Sequence, residues 1–360
     1  MRVWQLCARL EYGDAVSNHV MEIDRALASW GFETGIFANT RDEFGRQAAR
    51  PDEEYSSVME SGEDLLIYHY SLFCPNYRQY LESRNRRILV YHNITPPEFF
   101  AAYDKGVAEF CRLGRELLPE LASCDLALGD SEFNRLELVG AGFDPEKTAV
   151  LPIFVDYRGL LGQEGGRGPM AAWKSAFKVL FVGRAVPNKR LEDVLRAFYY
   201  YNRCIDASSH LFLVGPSWVE GYDARLQWLV DSFGLYGNVH FTGRVSDADL
   251  AACYRDADLF LSMSEHEGFG VPLVESMAFD LPVLAYSSTA IPYTLGGAGV
   301  TFSDKDFPRV GELMGIMRSD SGLRRAVIEG QRGRLAHFAP SPLRETLKGY
   351  LDRVLVESGW

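Results

Sequence analysis

Short apolar runs alternate with amphipathic helical patterns along almost the whole chain, and this alternation constrains the fold more than any other feature. In the first half, apolar runs predict strands at residues 3–7, 34–38, 65–70, 87–92, 126–130 and 149–154. Helical spacing between these runs predicts helices at residues 15–30, 76–83, 103–121 and 133–139. Such alternation is typical of a parallel sheet whose strands are joined by crossover helices.

The alternation is interrupted once and then restarts. Residues 159–168 read Gly-Leu-Leu-Gly-Gln-Glu-Gly-Gly-Arg-Gly, which predicts a flexible polar connector. After it, strands are predicted at residues 179–182, 211–214, 239–242, 259–263 and 283–286. Helices are predicted at residues 191–204, 224–233, 247–254, 272–279 and 343–356. We therefore expect an α/β fold of two Rossmann-like domains that face each other across a cleft, with ligands at the carboxyl ends of the strands.

The charge of the chain is unevenly distributed. The formal net charge is −12, and residues 1–156 hold 26 Asp and Glu against 15 Lys and Arg. This acidity argues against nucleic acid as a partner, because phosphate binding needs basic groups. The six cysteines form no Cys-x-x-Cys pair, which favours reduced buried thiols over a zinc site. No apolar run is long enough to cross a membrane, and Arg9 and Glu11 interrupt the start of the chain, so a cytoplasmic protein is expected.

The sharpest motif lies in residues 259–285, which read as strand, loop, helix and strand. Its loop, Glu265-His-Glu-Gly-Phe-Gly270, leads into a helix through Pro272. The glycines allow close backbone approach and proline suits the first helical turn, so the amides here would form an anion site. Glu267 and Glu275 flank these amides, which suits a nucleotide sugar, with hydroxyls at both ends and phosphate in the middle. Taken singly, the two carboxylates also fit a solvated loop acid and a helix-start acid.

A second motif, Lys178-Val-Leu-Phe-Val-Gly-Arg-Ala-Val-Pro-Asn-Lys189, ends an apolar strand with two cations. Arg184 and Lys189 follow the carboxyl end of that strand, where they could clamp a diphosphate. Lys189 is followed by Arg190 rather than by Ser or Thr, so the loop is not a phosphate-binding Walker loop. An ordinary solvated basic loop is the alternative.

Together the two motifs resemble the donor-binding half of glycosyltransferase family 4 (group 1), retaining enzymes of the GT-B fold. The family's Glu-x7-Glu motif corresponds to Glu267 and Glu275, and its diphosphate-binding cations to Arg184 and Lys189. The resemblance covers about residues 178–300. It implies further donor contacts from the strand end beside the nucleobase and from the loop between the glutamates, namely Arg244, Val245, Gly268, Phe269, Gly270 and Val271.

The first half resembles the family more loosely. Gly13 stands where the family often has a glycine pair in the loop that meets the donor. Asp14, Asn93 and Ser131 are candidate acceptor contacts, although Asp14 could instead cap the following helix. His92 matches a family histidine that lies near the donor sugar, although a single histidine is often structural.

The resemblance also implies a division of labour. Residues 1–157 would bind the acceptor, residues 158–340 would bind the nucleotide sugar, and residues 341–360 would form a C-terminal helix that returns to the N-terminal domain. The implied activity is retaining transfer of a hexose from a GDP-mannose-type or UDP-hexose donor to a hydroxyl of a glycan or lipid-linked oligosaccharide in bacterial surface polysaccharide assembly.

The implied chemistry uses no cofactor and no obligatory metal. Arg184 and Lys189 would neutralise the leaving diphosphate, which would accept the acceptor's proton. Glu267 would orient the sugar, Glu275 would hold the ribose, and His92 would support the sugar from the opposite wall. The Asp-x-Asp pairs at residues 247–249 and 256–258 are expected to be helix caps and solvated acids, not metal ligands.

Other partners and functions follow less directly. Any membrane contact is expected to be weak and peripheral, at the cytoplasmic face, and the oligomeric state is left open. A nucleotide-sugar 2-epimerase of the same fold, a nicotinamide oxidoreductase and a non-catalytic nucleotide-sugar binding protein are the alternatives. The epimerase would release a sugar without any acceptor.

Overall fold

The computed structural model of the chain describes residues 1–356, which divide into two compact units. The first unit contains residues 1–98, 106–155 and 337–356. The second contains residues 99–105 and 156–336. Each unit is built on one sheet, of seven strands in the first and six in the second, so the predicted α/β fold of two Rossmann-like parallel sheets is confirmed.

The first unit is a parallel sheet with the strand order β3-β2-β1-β4-β5-β6-β7. Its strands are β1 (Arg2–Leu10), β2 (Glu33–Arg41), β3 (Arg50–Pro51), β4 (Leu65–Tyr70), β5 (Arg86–Tyr91), β6 (Leu126–Gly129) and β7 (Thr148–Val150). The helices in this part of the chain are α1 (Ala15–Ser29), α2 (Glu43–Ala48), α3 (Tyr77–Glu82), α4 (Lys105–Leu117) and α5 (Glu132–Gly140).

The second unit has the strand order β10-β9-β8-β11-β12-β13, again all parallel. Its strands are β8 (Lys178–Val182), β9 (His210–Val214), β10 (Val239–Gly243), β11 (Leu259–Ser262), β12 (Val283–Tyr286) and β13 (Val300–Phe302). Its helices are α6 (Tyr157–Leu161), α7 (Leu191–Cys204), α8 (Glu220–Ser232), α9 (Asp247–Asp256), α10 (Val271–Ala278), α11 (Ile291–Leu295), α12 (Phe307–Ser319) and α13 (Ser321–Leu335).

The two faces of the first sheet carry separate apolar cores because side chains alternate along each strand. On β4, Leu66 and Tyr68 enter one core, and Leu65 and Ile67 enter the other. The last helix of the chain, α14 (Pro340–Val356), lies on the second of these faces. It supplies buried apolar side chains to that core at helical spacing, namely Leu343, Leu347, Leu351 and Val354. Residues 357–360 of the predicted terminal segment lie outside the described residues.

The predicted flexible connector is instead packed against the second unit. Asp156 caps α6 by accepting a hydrogen bond from the Gly159 N–H at 2.8 Å. Further along, the Gly168 N–H donates to an Asp249 carboxylate oxygen at 3.3 Å. A β-carbon at Gly166 would lie 2.1 Å from the Ala248 carbonyl oxygen, so the backbone of the connector lies directly against α9. The glycines of this segment therefore allow close packing rather than free movement.

Five short elements were not predicted: β3, β13, α2, α6 and α11. These elements have two to six residues, too few for a repeating pattern to develop. Within residues 1–356, no helix is long and apolar enough to cross a membrane.

Substitution of Leu347 tests whether α14 is part of the first unit's core. Leu347 is 1% exposed, and we expect Leu347→Ala to lower the free energy of unfolding of that unit by about 2–5 kcal/mol, because a cavity is left. Leu136→Ala is the control, since Leu136 is 47% exposed and should change stability by less than about 1 kcal/mol. Urea unfolding measures both. Equal effects of the two substitutions would contradict a core role for α14.

Candidate functional site

The second sheet has a switch point at β8, from which the chain first adds β9 and β10 on one side and then β11 to β13 on the other. In open α/β sheets, the crevice beyond the carboxyl ends of such strands is the usual ligand site. A depression of about 230 Å³ lies here, lined by Glu267 and Gly270 among others. A second depression, of about 340 Å³, lies at the ends of β8, β9 and β10 and is lined by Gly183, Gly215 and Gly243. The two share Phe181.

The second depression depends on the absence of side chains at the strand ends. Gly215 has a φ of +141° and donates its N–H to the Gly243 carbonyl at 3.0 Å. A β-carbon at Gly215 would lie 2.1 Å from the Gly183 carbonyl oxygen, which no side chain could tolerate. Close backbone contact between neighbouring loops therefore forms this side of the crevice.

Two predicted site residues form an ion pair in this crevice. Lys189 Nζ lies 2.5 Å from both carboxylate oxygens of Glu267. The side chains are 20% and 14% exposed, so the pair is partly buried but still reaches solvent. A cation and a carboxylate are thus held together at the switch point, one from each of the loops that follow β8 and β11.

Asn188 joins these two loops through main-chain and side-chain hydrogen bonds. Its carbonyl accepts from the Glu265 N–H at 2.9 Å, and its side-chain amide donates to the His266 carbonyl at 2.9 Å. Asn188 is only 5% exposed. These bonds hold the Lys189 loop beside the Glu267 loop independently of the ion pair.

Below the loops lies a cluster of buried charges. Asp193 and Glu192, at the start of α7, have side chains that are 1% and 2% exposed. The Asp193 carboxylate accepts from Lys305 Nζ at 2.8 Å and from Arg190 Nε at 3.1 Å, and Glu192 accepts from the buried hydroxyl of Tyr222. Burial alone would raise the pKa of Asp193, but Lys305 and Arg190 together hold that pKa below its usual value. The carboxylate is therefore charged and fully paired.

Strained backbone occurs in two of the loops around Glu267. Arg190 has a φ of +52° and Thr289 a φ of +43°, in the left-handed region that β-branched residues rarely adopt. Thr289 uses its hydroxyl to accept the Glu267 N–H at 2.9 Å. Such strain persists only where surrounding contacts fix the conformation, and it is common at functional sites.

The turn into α10 has fewer backbone N–H groups for binding an anion than the sequence predicts. Gly270 has a φ of +89° and precedes the helix, which begins at Val271. Pro272 has no amide hydrogen, and the Leu273 N–H already donates to the Gly270 carbonyl at 2.9 Å. Pro272 and Leu273 are therefore not available to an anion, whereas the N–H groups of Gly270 and Val271 are candidates for such a contact. Phe269 points inward with 4% exposure and Gly268 is half-buried.

Glu275 lies near the middle of α10, and its carboxylate accepts a hydrogen bond from the Tyr254 hydroxyl at 2.6 Å. Burial raises the pKa of Glu275 to about 7, against an ordinary value of 4.5, although the Tyr254 bond opposes this shift. The side chain is thus close to half ionised near neutral pH.

The other predicted donor residues lie at neighbouring strand ends. Arg184 follows β8, is exposed, and lies over the Trp218 ring at 5.6 Å. Arg244 and Val245 follow β10, the former exposed and the latter half-buried.

The Asp-x-Asp pairs at residues 247–249 and 256–258 make local hydrogen bonds. Asp249 accepts from the Ser246 hydroxyl and the Gly168 N–H, and Asp258 accepts from the Lys178 N–H. Within residues 1–356, no group of three or more His, Cys, Asp or Glu is arranged to hold a metal ion.

In the first unit, His92 belongs to a buried chain of hydrogen bonds. Its Nε2 lies 2.9 Å from Nδ1 of His69, and its Nδ1 lies 3.0 Å from the Asp130 carboxylate. Nε2 of His69 lies 2.9 Å from Oε1 of Gln5, whose amide nitrogen donates to the Val20 carbonyl. The side chains of His92 and Asp130 are at most 1% exposed.

The partners in this series of hydrogen bonds determine which ring nitrogens carry a proton. The Gln5 oxygen faces His69, so His69 donates from Nε2 and accepts at Nδ1 as a neutral ring, in line with burial, which lowers the pKa of His69 well below its usual value. His92 therefore donates from Nε2, and one further proton must lie between its Nδ1 and Asp130. Burial raises the pKa of Asp130, although His92 opposes this shift. Both ring nitrogens of His92 are thus occupied inside the first unit.

The candidate acceptor residues also have local partners. Ser131 caps α5 by accepting from the Asn134 N–H at 3.3 Å. Asn93, at a φ of +69°, donates to Asn134 and to Glu137 at 3.0 and 2.7 Å. Asp14 caps α1 by accepting from the Ser17 N–H at 3.0 Å, which is the capping alternative. Gly13, at a φ of +71°, is exposed just before it.

Both residues of the ion pair were predicted from the sequence, but the residues that hold this pair in place were not. Asn188 stands inside the predicted motif and could have been found there, as a polar residue in a loop between two elements. Thr289 and Lys305 lie outside both motifs and carry no local signal. Asp193 looks like a helix-start acid, and only its burial marks it as part of the site.

Comparison with known proteins bears on both units. The family model for glycosyl transferases group 1 matches residues 171–303, which include both motifs. O-antigen chain mannosyltransferase B of Escherichia coli is 25% identical over 307 residues, which cover 74% of this chain and 75% of that protein. Mannosylfructose-phosphate synthase of Agrobacterium fabrum is 36% identical over 110 residues, which cover 29% of this chain and 24% of that protein.

A solved structure shares the fold over nearly the whole chain. Anabaena HepE, in complex with UDP and glucose, superposes with a TM-score of 0.74 at 17% identity, covering 98% of this chain and 100% of that one. Its likeness concerns the fold alone. Residues 171–303 thus match the group 1 glycosyl transferases and the chain has the GT-B fold, as the two motifs predicted.

Proposed function

We propose that the chain transfers a hexose from a nucleotide-diphosphate sugar to a sugar hydroxyl of a growing surface polysaccharide, with retention of the anomeric configuration. The observation that carries this proposal is the Lys189–Glu267 ion pair at the switch point of the second sheet, inside the matched family region. The relatives named as a mannosyltransferase and a mannosylfructose-phosphate synthase favour a GDP-mannose-type donor over a UDP-hexose, and the O-antigen relative favours a glycan or lipid-linked acceptor.

Each side chain has a distinct part in the proposed reaction. Arg184 and Lys189 bind the diphosphate and offset the charge that grows on it as the sugar departs. Glu267 binds sugar hydroxyls and orients the anomeric carbon. Glu275 accepts hydrogen bonds from the ribose, and the N–H groups of Gly270 and Val271 add to the phosphate contacts. No metal is required, because the two cations supply the neutralising charge.

The first unit supplies the acceptor side in this proposal. Its net charge is strongly negative, which favours an uncharged glycan over an anionic one. His92 is buried and has both ring nitrogens occupied, so we propose that it holds the end of β5 in place and does not act as a proton donor. The acceptor's proton then passes to the leaving phosphate.

A transfer assay tests the proposed function directly. Purified protein should transfer mannose from GDP-mannose to a mannan oligosaccharide, with product of the same anomeric configuration as the donor, as read by proton NMR. The rate should be unchanged in EDTA. UDP-glucose and UDP-galactose serve as alternative donors. Epimerised free sugar without acceptor, or nucleotide binding without any turnover, would contradict the proposal and favour the epimerase or the binding protein respectively.

Variants of the crevice residues separate binding from turnover. Arg184→Ala should weaken GDP binding about 10-fold, since a charge-assisted hydrogen bond at an exposed site is lost. Glu267→Gln should keep GDP binding but lower kcat about 100-fold, because the sugar is no longer oriented. Calorimetry and initial rates measure the two effects. Glu312→Gln, exposed on α12, is the control. Full activity in Glu267→Gln would remove Glu267 from the mechanism.

Glu275 makes stability depend on pH in a defined direction. Its pKa is raised in the folded state, so its stabilising contribution is present below its unfolded pKa and is lost as the pH rises through about 7. Between about pH 5 and pH 8, wild type should therefore lose unfolding free energy relative to Glu275→Gln. Urea unfolding across that range measures the difference. Parallel pH profiles for the two proteins would show that the carboxyl is not buried as described.

A further inference from the structure

Lys305 lies at the centre of the buried charge cluster, outside both sequence motifs and beyond the region matched by the family model. Its Nζ lies 2.8 Å from Asp193, 2.7 Å from Glu265 and 3.2 Å from the Met263 carbonyl. The ammonium also lies 4.6 Å from the centre of the Tyr286 ring. The Lys305 side chain is 16% exposed. One cation thus joins α7, the end of β11 and the loop that carries Glu265.

The cluster is balanced in charge. Its cations are Arg190, Arg196 and Lys305, and its anions are Glu192, Asp193 and Glu265. A buried carboxylate left without a partner costs several kcal/mol, so the loss of one cation must be met by movement of another charged group. Of the three cations, only Lys305 comes from outside α7 and the residue that precedes it.

Loss of the Lys305 charge would affect Glu265 first. Arg190 Nε lies 3.3 Å from the Glu265 carboxylate, and Lys189, the preceding residue, binds Glu267. The two loops therefore meet through a pair of charge contacts, Lys189 with Glu267 and Arg190 with Glu265. Without Lys305, Glu265 and Asp193 would compete for Arg190, and uncompensated charge on Glu265 would compete with Glu267 for Lys189.

We infer that Lys305 is a positioning residue, which holds Glu265 so that Glu267 and Lys189 keep their places in the crevice. The role in turnover rests on the proposed function, because it takes Glu267 to orient the donor sugar. The effect on the loop itself does not depend on that function. Lys305 touches no predicted donor residue, so it acts through Glu265.

The test compares Lys305→Met with a matched control on the same sheet. Lys178→Met removes a lysine that is also largely buried and pairs with Asp258 at 3.6 Å, at the amino end of β8, away from the crevice. Lys305→Met should lower kcat about 10-fold, leave the Kd for GDP within about twofold, and speed hydrogen exchange in residues 263–273. Lys178→Met should lower stability alone. Lys305→Arg should recover much of the lost kcat.

A double variant separates positioning from stability. Lys305→Met with Glu265→Gln restores charge balance in the cluster, so its stability should return towards wild type while kcat stays low. Wild-type kcat in either Lys305→Met protein would overturn the inference, as would equal losses of kcat in Lys305→Met and Lys178→Met. If wild type transfers no sugar, the proposed function fails, and hydrogen exchange of residues 263–273 decides the positioning role alone. Unchanged exchange would then overturn it.

Discussion

The second unit depends on how it neutralises two carboxylates at the start of α7. Glu192 and Asp193 are almost completely buried, and an unpaired charge at that depth would be prohibitively costly. Their cations come from three places: Arg190 in a strained left-handed conformation, Arg196 one turn along the helix, and Lys305 after β13. Because Lys305 and Arg190 also bind Glu265, the same contacts that satisfy the helix start hold the loop that carries Glu265 and Glu267. Packing of α7 and geometry of the crevice are therefore set together.

At the carboxyl ends of its central strands, the first unit pairs a buried carboxylate, Asp130, with a histidine rather than with Lys or Arg. Its strand order around β1 and β4 repeats that around β8 and β11, so a switch point lies in each sheet. At the ends of β4, β5 and β6, however, His69, His92 and Asp130 form a chain of rings and a carboxylate in which only one mobile proton remains. Neutral rings can be buried at lower cost than a charged loop, at the price of fixed orientation. The second unit thus relies on charged side chains that can change partners, and the first unit relies on a fixed chain of hydrogen bonds.

The sequence predicted what is local and missed what the fold brings together. The largely buried strands β4, β5, β6, β8, β9 and β11 read as apolar runs, whereas β3 and β13 are too short to produce a pattern. Glu267, Lys189 and Gly270 could be recognised because glycine and charge stand next to strand ends. Thr289 and Lys305 meet the motif across 22 and 40 residues of sequence, through hydrogen bonds that no spacing rule describes. The pKa of Glu275 is likewise set by burial, which raises it, and by the Tyr254 hydrogen bond, which opposes the rise. Neither is visible in the residue types.

The ion pair between Lys189 and Glu267 imposes a condition on any donor. Each side chain now satisfies the other at 2.5 Å, so neither can bind a ligand group without leaving its partner unpaired. A diphosphate alone would take Lys189 and leave a partly buried carboxylate uncompensated, and a free sugar would take Glu267 and leave the ammonium. In the proposed reaction, a nucleotide sugar replaces both partners at once, with phosphate on Lys189 and hydroxyls on Glu267. The ion pair therefore favours binding of the intact donor over binding of either of its halves. A transferase needs this preference before the bond to the sugar is cleaved, and the same preference weakens binding of the two separate products afterwards.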